Sequence, residues 1–332
     1  MVADGLIEWY EREKRDLPWR RDREAYHVWV SEIMLQQTRV EAVIPYYERF
    51  LAALPTVESL AEADEAQLLK LWEGLGYYSR VRNMQKAAKA VVSMGGFPET
   101  AKELKKLSGF GEYTSGAVAS IAFGERAAAV DGNVLRVWAR MERISESIKM
   151  PSVRRACAQA VLAAMPEDCD PGAYTQALME LGATVCTPRS PKCGKCPVRE
   201  NCGAYAADEA EEYPIAEAKP VKAEEEFDVH LIVRNGRALV RQRPSTGLLA
   251  NMWEFPHGEE TVRIKDGFLM EVRHVFTHKI WLMRGVRAEL LEETDGRWVN
   301  AQELRALPMS SAMVKFRQYL LESGELNDAG TD

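Results

Sequence analysis

Long apolar runs are missing from this chain of 332 residues, and a helical membrane span needs about eighteen apolar residues in a row. The first residues, Met1-Val-Ala-Asp-Gly-Leu-Ile-Glu8, lack a basic stretch and an apolar core, so no secretory leader is expected. Cysteine is scarce, six in all, and a disulfide framework belongs to small secreted chains. A cytoplasmic protein with reduced thiols is the expectation. An excess of basic charge is missing too: the formal net charge is −7. The acidic surplus is local, however. Residues 1–206 hold 27 basic and 27 acidic side chains, residues 207–226 hold two and eight, and residues 227–332 hold 14 and 15. A neutral domain can present a basic face, and local field rather than total charge steers a polyanion. Nucleic acid is therefore not excluded as a partner.

Four of the cysteines, Cys186, Cys193, Cys196 and Cys202, fall within seventeen residues, with six, two and five residues between neighbours. Four thiolates at that density can ligate one centre, either zinc or a [4Fe–4S] cluster. Structural zinc usually draws its cysteines from two C-x2-C knuckles. Only the central pair here has that spacing, which favours the cluster. Cys157 and Cys169 read as ordinary residues.

At 46% hydrophobic residues the chain is long enough for two cored domains. Residues 1–206 read as helical, with capping boxes expected at Thr38–Glu41 and Thr100–Glu103 and N-caps at Asp131 and Ser152. Residues 207–226, acidic and carrying Pro214 and Pro220, read as an exposed linker. Residues 227–326 form a smaller α/β unit: strands at 227–233 and 237–243 joined by a type I′ turn at Asn235-Gly236, further strands at 268–275 and 280–290, and a helix at 310–322.

Between two helical stretches lies Leu107-Ser-Gly109-Phe-Gly111-Glu-Tyr113. Its alternate glycines allow a hairpin that leaves N–H groups at the mouth of the next helix, a place suited to phosphate. An ordinary helix–helix turn is the commoner explanation of such a pattern. Farther on stands Val130-Asp131-Gly132-Asn133, whose acid reads by itself as a helix cap. Glu32 sits in Val28-Trp-Val-Ser-Glu-Ile-Met-Leu35, a run that is costly for an unpaired carboxylate and raises a carboxyl pKa.

The hairpin, the later acid and the cysteine spacing, in this order, resemble the helix-hairpin-helix DNA glycosylases that carry a [4Fe–4S] cluster. Leu17-Pro-Trp-Arg20, Val30-Ser-Glu-Ile-Met-Leu-Gln-Gln-Thr38 and Trp72-Glu-Gly-Leu-Gly-Tyr-Tyr-Ser-Arg80 narrow the resemblance to the MutY-type adenine DNA glycosylases. The resemblance implies that Glu32 protonates adenine at N7, that ionised Asp131 stabilises the sugar cation, and that Asn133 positions groups nearby. Such a division of labour between a neutral and a charged carboxyl suits glycosidic cleavage. It places Tyr113 where strand-cleaving relatives carry a lysine; tyrosine cannot form their imine. Gly109 and Gly111 become the phosphate-binding hairpin. Trp19, Arg20, Leu35 and Gln176 line the adenine pocket, Gln37 and Tyr77 wedge into the duplex, and Thr38, Leu75 and Gly76 face 8-oxoguanine. Arg189, Lys192 and Lys195 of the cluster loop are expected on the phosphate backbone.

Gly247-Leu-Leu-Ala-Asn-Met-Trp253-Glu-Phe-Pro256 and Arg273-His-Val-Phe-Thr-His278 resemble the Nudix-like C-terminal domain of the same family. No glutamate-rich box follows Pro256, so a reader of 8-oxoguanine is expected rather than a hydrolase. Phe276, Thr277 and His278 form its contact turn, with Thr277 where many members have serine. The expected activity is hydrolysis of adenine from 8-oxoguanine:adenine pairs in double-stranded DNA, and of adenine opposite guanine, by a nucleoid-associated monomer of bacterial type. Rival readings are a glycosylase and lyase for oxidised pyrimidines, a nucleotide hydrolase and a non-catalytic iron–sulfur DNA-binding protein.

Overall fold

The computed structural model describes residues 3–215, 221–258, 262–292 and 294–328. It divides into two compact units, residues 1–62 with 83–219 and residues 63–82 with 220–332.

The first unit is helical. Two helices within it, Ala25–Leu35 and Glu112–Phe123, are buried over most of their length, the state of a helix that is apolar nearly all round. They carry Glu32 and Tyr113. Gly116 makes their setting possible: a Cβ there would meet the Ala128 carbonyl oxygen at 2.0 Å. Around a core that includes Leu6, Leu135, Cys157, Tyr174 and Leu181 pack the helices Ala3–Glu13, Gly132–Met141, Pro151–Ala164 and Pro171–Thr184. Two expected caps are present. Thr100 accepts from the Glu103 N–H, and Asp131 accepts from the Val134 N–H. Two are not. The helix expected from Thr38 starts at Val40 behind Arg39, and the one expected at Ser152 starts at Pro151 behind Met150. Proline suits the first helical position, where its missing N–H costs nothing.

The second unit is a pair of small sheets with helices against them. Its strands are β1 (Ala223–Leu231), β2 (Val233–Arg234), β3 (Arg237–Gln242), β4 (Trp253–Glu254), β5 (Val262–Val275), β6 (Lys279–Leu290) and β7 (Arg297–Val299). One sheet runs β1-β6-β5, with β1 parallel and β5 antiparallel to β6. The other runs β2-β3-β4, with β7 also on β3. Asn235 and Gly236, at φ 50° and 70°, make the expected turn between β2 and β3. The helix Ser311–Glu322 lies on the first sheet, where Phe316 covers Gly285 at a spot too close for a Cβ.

Four boundaries differ from the sequence reading. The expected linker of 207–226 is structured at both ends: Glu209 binds Arg143, Glu211 accepts from the Ser190 N–H, and Ala223–Glu226 begin β1. Residues 216–220, in its middle, lie outside the described residues. The expected strand at 227–233 is split into β1 and β2, and β5 begins six residues earlier than expected. Residues 63–82 leave the helical unit they precede. Glu65 accepts from Arg82 at 2.7 Å and Asn251 at 3.0 Å, while Glu73 accepts from the Met309 N–H, Lys70 and Arg317. Glu73 is largely enclosed. Burial alone would raise its carboxyl, but the hydrogen bonds from Arg317 and Met309 hold it below the usual range. Removing one partner of such a pair strands the other charge. Arg317→Met should therefore destabilise the second unit by about 3 kcal/mol, read as an earlier chemical-denaturation midpoint, whereas an unchanged midpoint would show the pair to be idle.

Candidate active site

An open cleft of about 1460 Å³ runs through the first unit. Trp19, Arg20, Glu32, Leu35, Gln37, Thr38, Gly109, Gly111, Tyr113, Asp131, Asn133 and Gln176 all line it. Residues spread over more than 150 positions of sequence thus share one concave surface.

Glu32 lies at its floor and is 6% exposed. The Tyr113 hydroxyl donates to its Oε2. Burial pushes the Glu32 carboxyl up to about 7; the Tyr113 hydrogen bond opposes that rise and the nearby Asp131 carboxylate adds to it. Tyr113 itself is held far above the usual phenol range, by burial first and then by the two acids. At neutral pH it is therefore a neutral donor.

Asp131 caps the helix Gly132–Met141 and also lines the cleft. Its Oδ1 accepts from the Val134 N–H and its Oδ2 from Asn133 Nδ2, each at 2.8 Å. Burial raises its carboxyl in spite of those bonds. Asn133 is fixed in turn, because its Oδ1 accepts from Arg136 at 2.8 Å. Arg136 also donates to the carbonyls of Gly182 and Cys186, at 2.7 and 2.8 Å.

Several supports were not anticipated from sequence. Glu180 is 1% exposed and takes hydrogen bonds from Arg15 Nε at 2.7 Å and Arg20 at 2.8 Å. Burial would raise it, but those two arginines pull it down to about 2. Arg20, expected at the adenine pocket, does line the cleft, yet its guanidinium is committed to Glu180, to the Arg15 carbonyl and to the Tyr10 ring. Gly182 is the second support, since a Cβ there would meet the Asn133 Cβ at 2.5 Å. An acid in the apolar helix Pro171–Thr184 was a visible signal of Glu180; nothing local marks Gly182.

The hairpin takes the expected form. Gly109 has φ 79°, a left-handed conformation natural to glycine, and Gly111 caps the helix Glu112–Phe123. Gln37, at the cleft, holds the left-handed φ of 61° with a side chain, a strained conformation that clusters at ligand sites. Trp19 packs edge-on to Tyr47 at 5.4 Å, and Gln176 donates to the Gly172 carbonyl.

In the second unit Tyr77 is 47% exposed and also left-handed, at φ 49°. Arg80 holds its turn, donating to the carbonyls of Leu75 and Gly76 at 3.1 Å. The Tyr77 and Thr277 hydroxyls are 2.7 Å apart. His278 is exposed beside Thr277. Two expected base contacts are placed differently: Leu75 is 7% exposed, and Phe276 packs inward on Trp281 at 4.8 Å. Leu75 is thus a buried residue, and Phe276 is a partly buried one packed against the second unit's apolar core.

Residues 30–161 match the HhH-GPD superfamily of base excision DNA repair proteins, residues 186–202 the iron–sulfur binding domain of endonuclease III, and residues 229–319 a NUDIX domain. The chain is 41% identical to the adenine DNA glycosylase of Arabidopsis thaliana over 87% of its own length and 57% of that protein. It is 36% identical to the adenine DNA glycosylase of Homo sapiens, over 95% and 73%. The chain belongs to the adenine DNA glycosylases. A solved thermostable thymine-DNA glycosylase is similar over 62% of this chain and 95% of that one, with 27% identity and a TM-score of 0.55. The family's enzymes are DNA glycosylases of base excision repair, so the partner is DNA.

The family's cofactor is a [4Fe–4S] cluster, and the loop fits one. Cys186, Cys193, Cys196 and Cys202 are free thiols. Burial pushes Cys196 up to about 11, and the neighbouring sulfurs of Cys186, Cys202 and Cys193 add to the rise. Bound as thiolates, these four would hold the cluster, and its iron would offset their crowded negative charge. Arg140, 2% exposed, donates to Cys186 Sγ at 3.2 Å and to the carbonyls of Thr187, Pro188 and Tyr213. Arg189, Lys192 and Lys195 are exposed on the loop.

The close approach of Gly182 gives a test. Gly182→Ala should displace Asn133 and with it Asp131, lowering single-turnover glycosylase rates by about 100-fold while DNA affinity stays near normal, since a misplacement of about 1 Å costs that much. An unchanged rate would mean that the Asp131–Asn133 geometry does not limit the reaction.

Proposed function

We propose that this chain hydrolyses the N-glycosidic bond of adenine paired with 8-oxoguanine, leaving an abasic site without strand cleavage. The feature that carries the reading is Glu32: a carboxyl buried in the cleft, pushed up to about 7 by burial, with the helix-capping Asp131 carboxylate close by.

The base must leave the stack to reach that floor. Protonated Glu32 gives its proton to adenine N7, so the C1′–N9 electrons depart with a neutral base. Asp131, with both oxygens held, offers negative charge to the oxocarbenium ion that remains. Water then adds to C1′, and its proton returns to Glu32, which restores the acid. Tyr113 keeps a hydroxyl on Glu32 through the cycle and has no amine for an imine, which supports hydrolysis over the lyase route.

The second unit suits a reader of the opposite base. After Pro256 the chain passes through His257 and Gly258, and by Val262 it is already in β5. Residues 259–261 lie outside the described residues. The sequence His257-Gly-Glu-Glu-Thr-Val-Arg-Ile-Lys265 holds no glutamate-rich box of the kind that binds metal in a nucleotide hydrolase. Thr277 and His278 are exposed at one hairpin tip, Thr277 hydrogen-bonded to Tyr77, and are the groups suited to 8-oxoguanine.

Glu32→Gln should retain binding to duplex with 8-oxoguanine opposite adenine but lower single-turnover adenine release by about 1000-fold, within the range for loss of a general acid. A rate within tenfold of the parent would remove Glu32 from that role.

A further inference from the structure

The Thr277–His278 tip is held in place by residues that lie far from it in sequence. It ends the β5–β6 hairpin, closed by the Val275–Ile280 pair and by the Phe276 N–H donating to the Lys279 carbonyl at 2.8 Å. Hairpin tips of this kind are mobile unless something outside the two strands braces them. Here the brace comes from the start of β1. Lys222 Nζ donates to the Phe276 carbonyl at 2.6 Å, from a partly buried position. Glu225 accepts from Trp281 Nε1 at 2.7 Å and from Lys279 Nζ at 2.9 Å. Trp281 in turn fixes the Phe276 ring edge-on at 4.8 Å, and His274 closes on its other side at 4.5 Å. The backbone just before Thr277 is therefore held at its carbonyl by a charged donor and at its side chain by a ring that Glu225 orients.

We infer that Lys222 and Glu225 are positioning residues for the lesion-reading tip and set how strongly the chain prefers adenine opposite 8-oxoguanine over adenine opposite guanine. This rests on the reader role proposed above for Thr277. The hydroxyl of Thr277 can report one oxygen or N–H on a base edge only if its distance is fixed to a few tenths of an ångström, because hydrogen bonds weaken steeply with distance and angle. A charge-assisted bond to the preceding carbonyl supplies that constraint where strand pairing has ended. Both side chains act through backbone and ring rather than by touching DNA. Their loss should then spare the reaction on a pair that offers the tip nothing to read.

The test uses the full chain and its Lys222→Met and Lys222→Arg variants, with single-turnover adenine release measured on duplexes carrying adenine opposite 8-oxoguanine and adenine opposite guanine. Methionine keeps the apolar stem and removes the donor; arginine keeps the donor. The expected result is a preference reduced about tenfold in Lys222→Met, the size of one lost charge-assisted hydrogen bond, with the rate opposite guanine within twofold of the parent. Lys222→Arg should retain most of the preference. An undiminished preference in Lys222→Met would overturn the inference, as would an equal fall on both duplexes, which would mark Lys222 as a general structural support. A parent chain with no preference at all would instead overturn the reader role, and the inference with it.

Discussion

A carboxyl group buried against a phenol, with a second carboxylate close by, is the constraint on which the first unit is organised. Water would leave Glu32 ionised and useless as an acid at neutral pH. Enclosure at 6% exposure raises its pKa to about 7, and Asp131 raises it further while Tyr113 limits the rise. The same enclosure keeps Tyr113 neutral. The site thus sets a carboxyl raised by burial beside one whose oxygens each accept a hydrogen bond, from a helix N–H and an amide, the kind of environment that can give two carboxyls separate duties.

Holding those groups requires close approaches and fixed charges elsewhere. Gly116 lets the Tyr113 helix settle on Ala128, and Gly182 lets the helix Pro171–Thr184 settle on Asn133. Glu180 ties Arg15 and Arg20 to that same helix. Arg136 links Asn133 to the Cys186 carbonyl, and Arg140 gathers the carbonyls and sulfur around the start of the cysteine loop. The cysteine loop and the Asp131–Asn133 pair therefore share one supporting arginine, Arg136. On the proposed function the chemistry falls to Glu32 and Asp131, and the cluster serves the scaffold.

Features carried by local chemistry were legible in the sequence. The cysteine spacing, the Asp131 and Thr100 caps, the Asn235-Gly236 turn and the apolar setting of Glu32 each follow from a few neighbouring residues. What stayed hidden depends on partners far away in sequence. Residues 63–82 join the second unit through Glu73 and Arg317, which lie 244 positions apart. Glu224–Glu226 looked like linker because they are charged, yet they pair with β6, where Lys279 and Trp281 complement Glu225. Leu75 and Phe276 sat within motifs of the reader surface, and only packing shows Leu75 buried and Phe276 partly buried against Trp281. The strained φ values of Gln37 and Tyr77 have no sequence signature at all, since neither is glycine.

The account turns on the protonation of one side chain, and that can be observed without any substrate. Carboxyl stretching bands in infrared difference spectra between the parent chain and Glu32→Gln, followed across pH, report Glu32 directly. A protonated carboxyl band that persists at pH 6 and is lost with a midpoint near 7 is the predicted result. A band already lost below about pH 5, the range of an ordinary solvated glutamate, would contradict it.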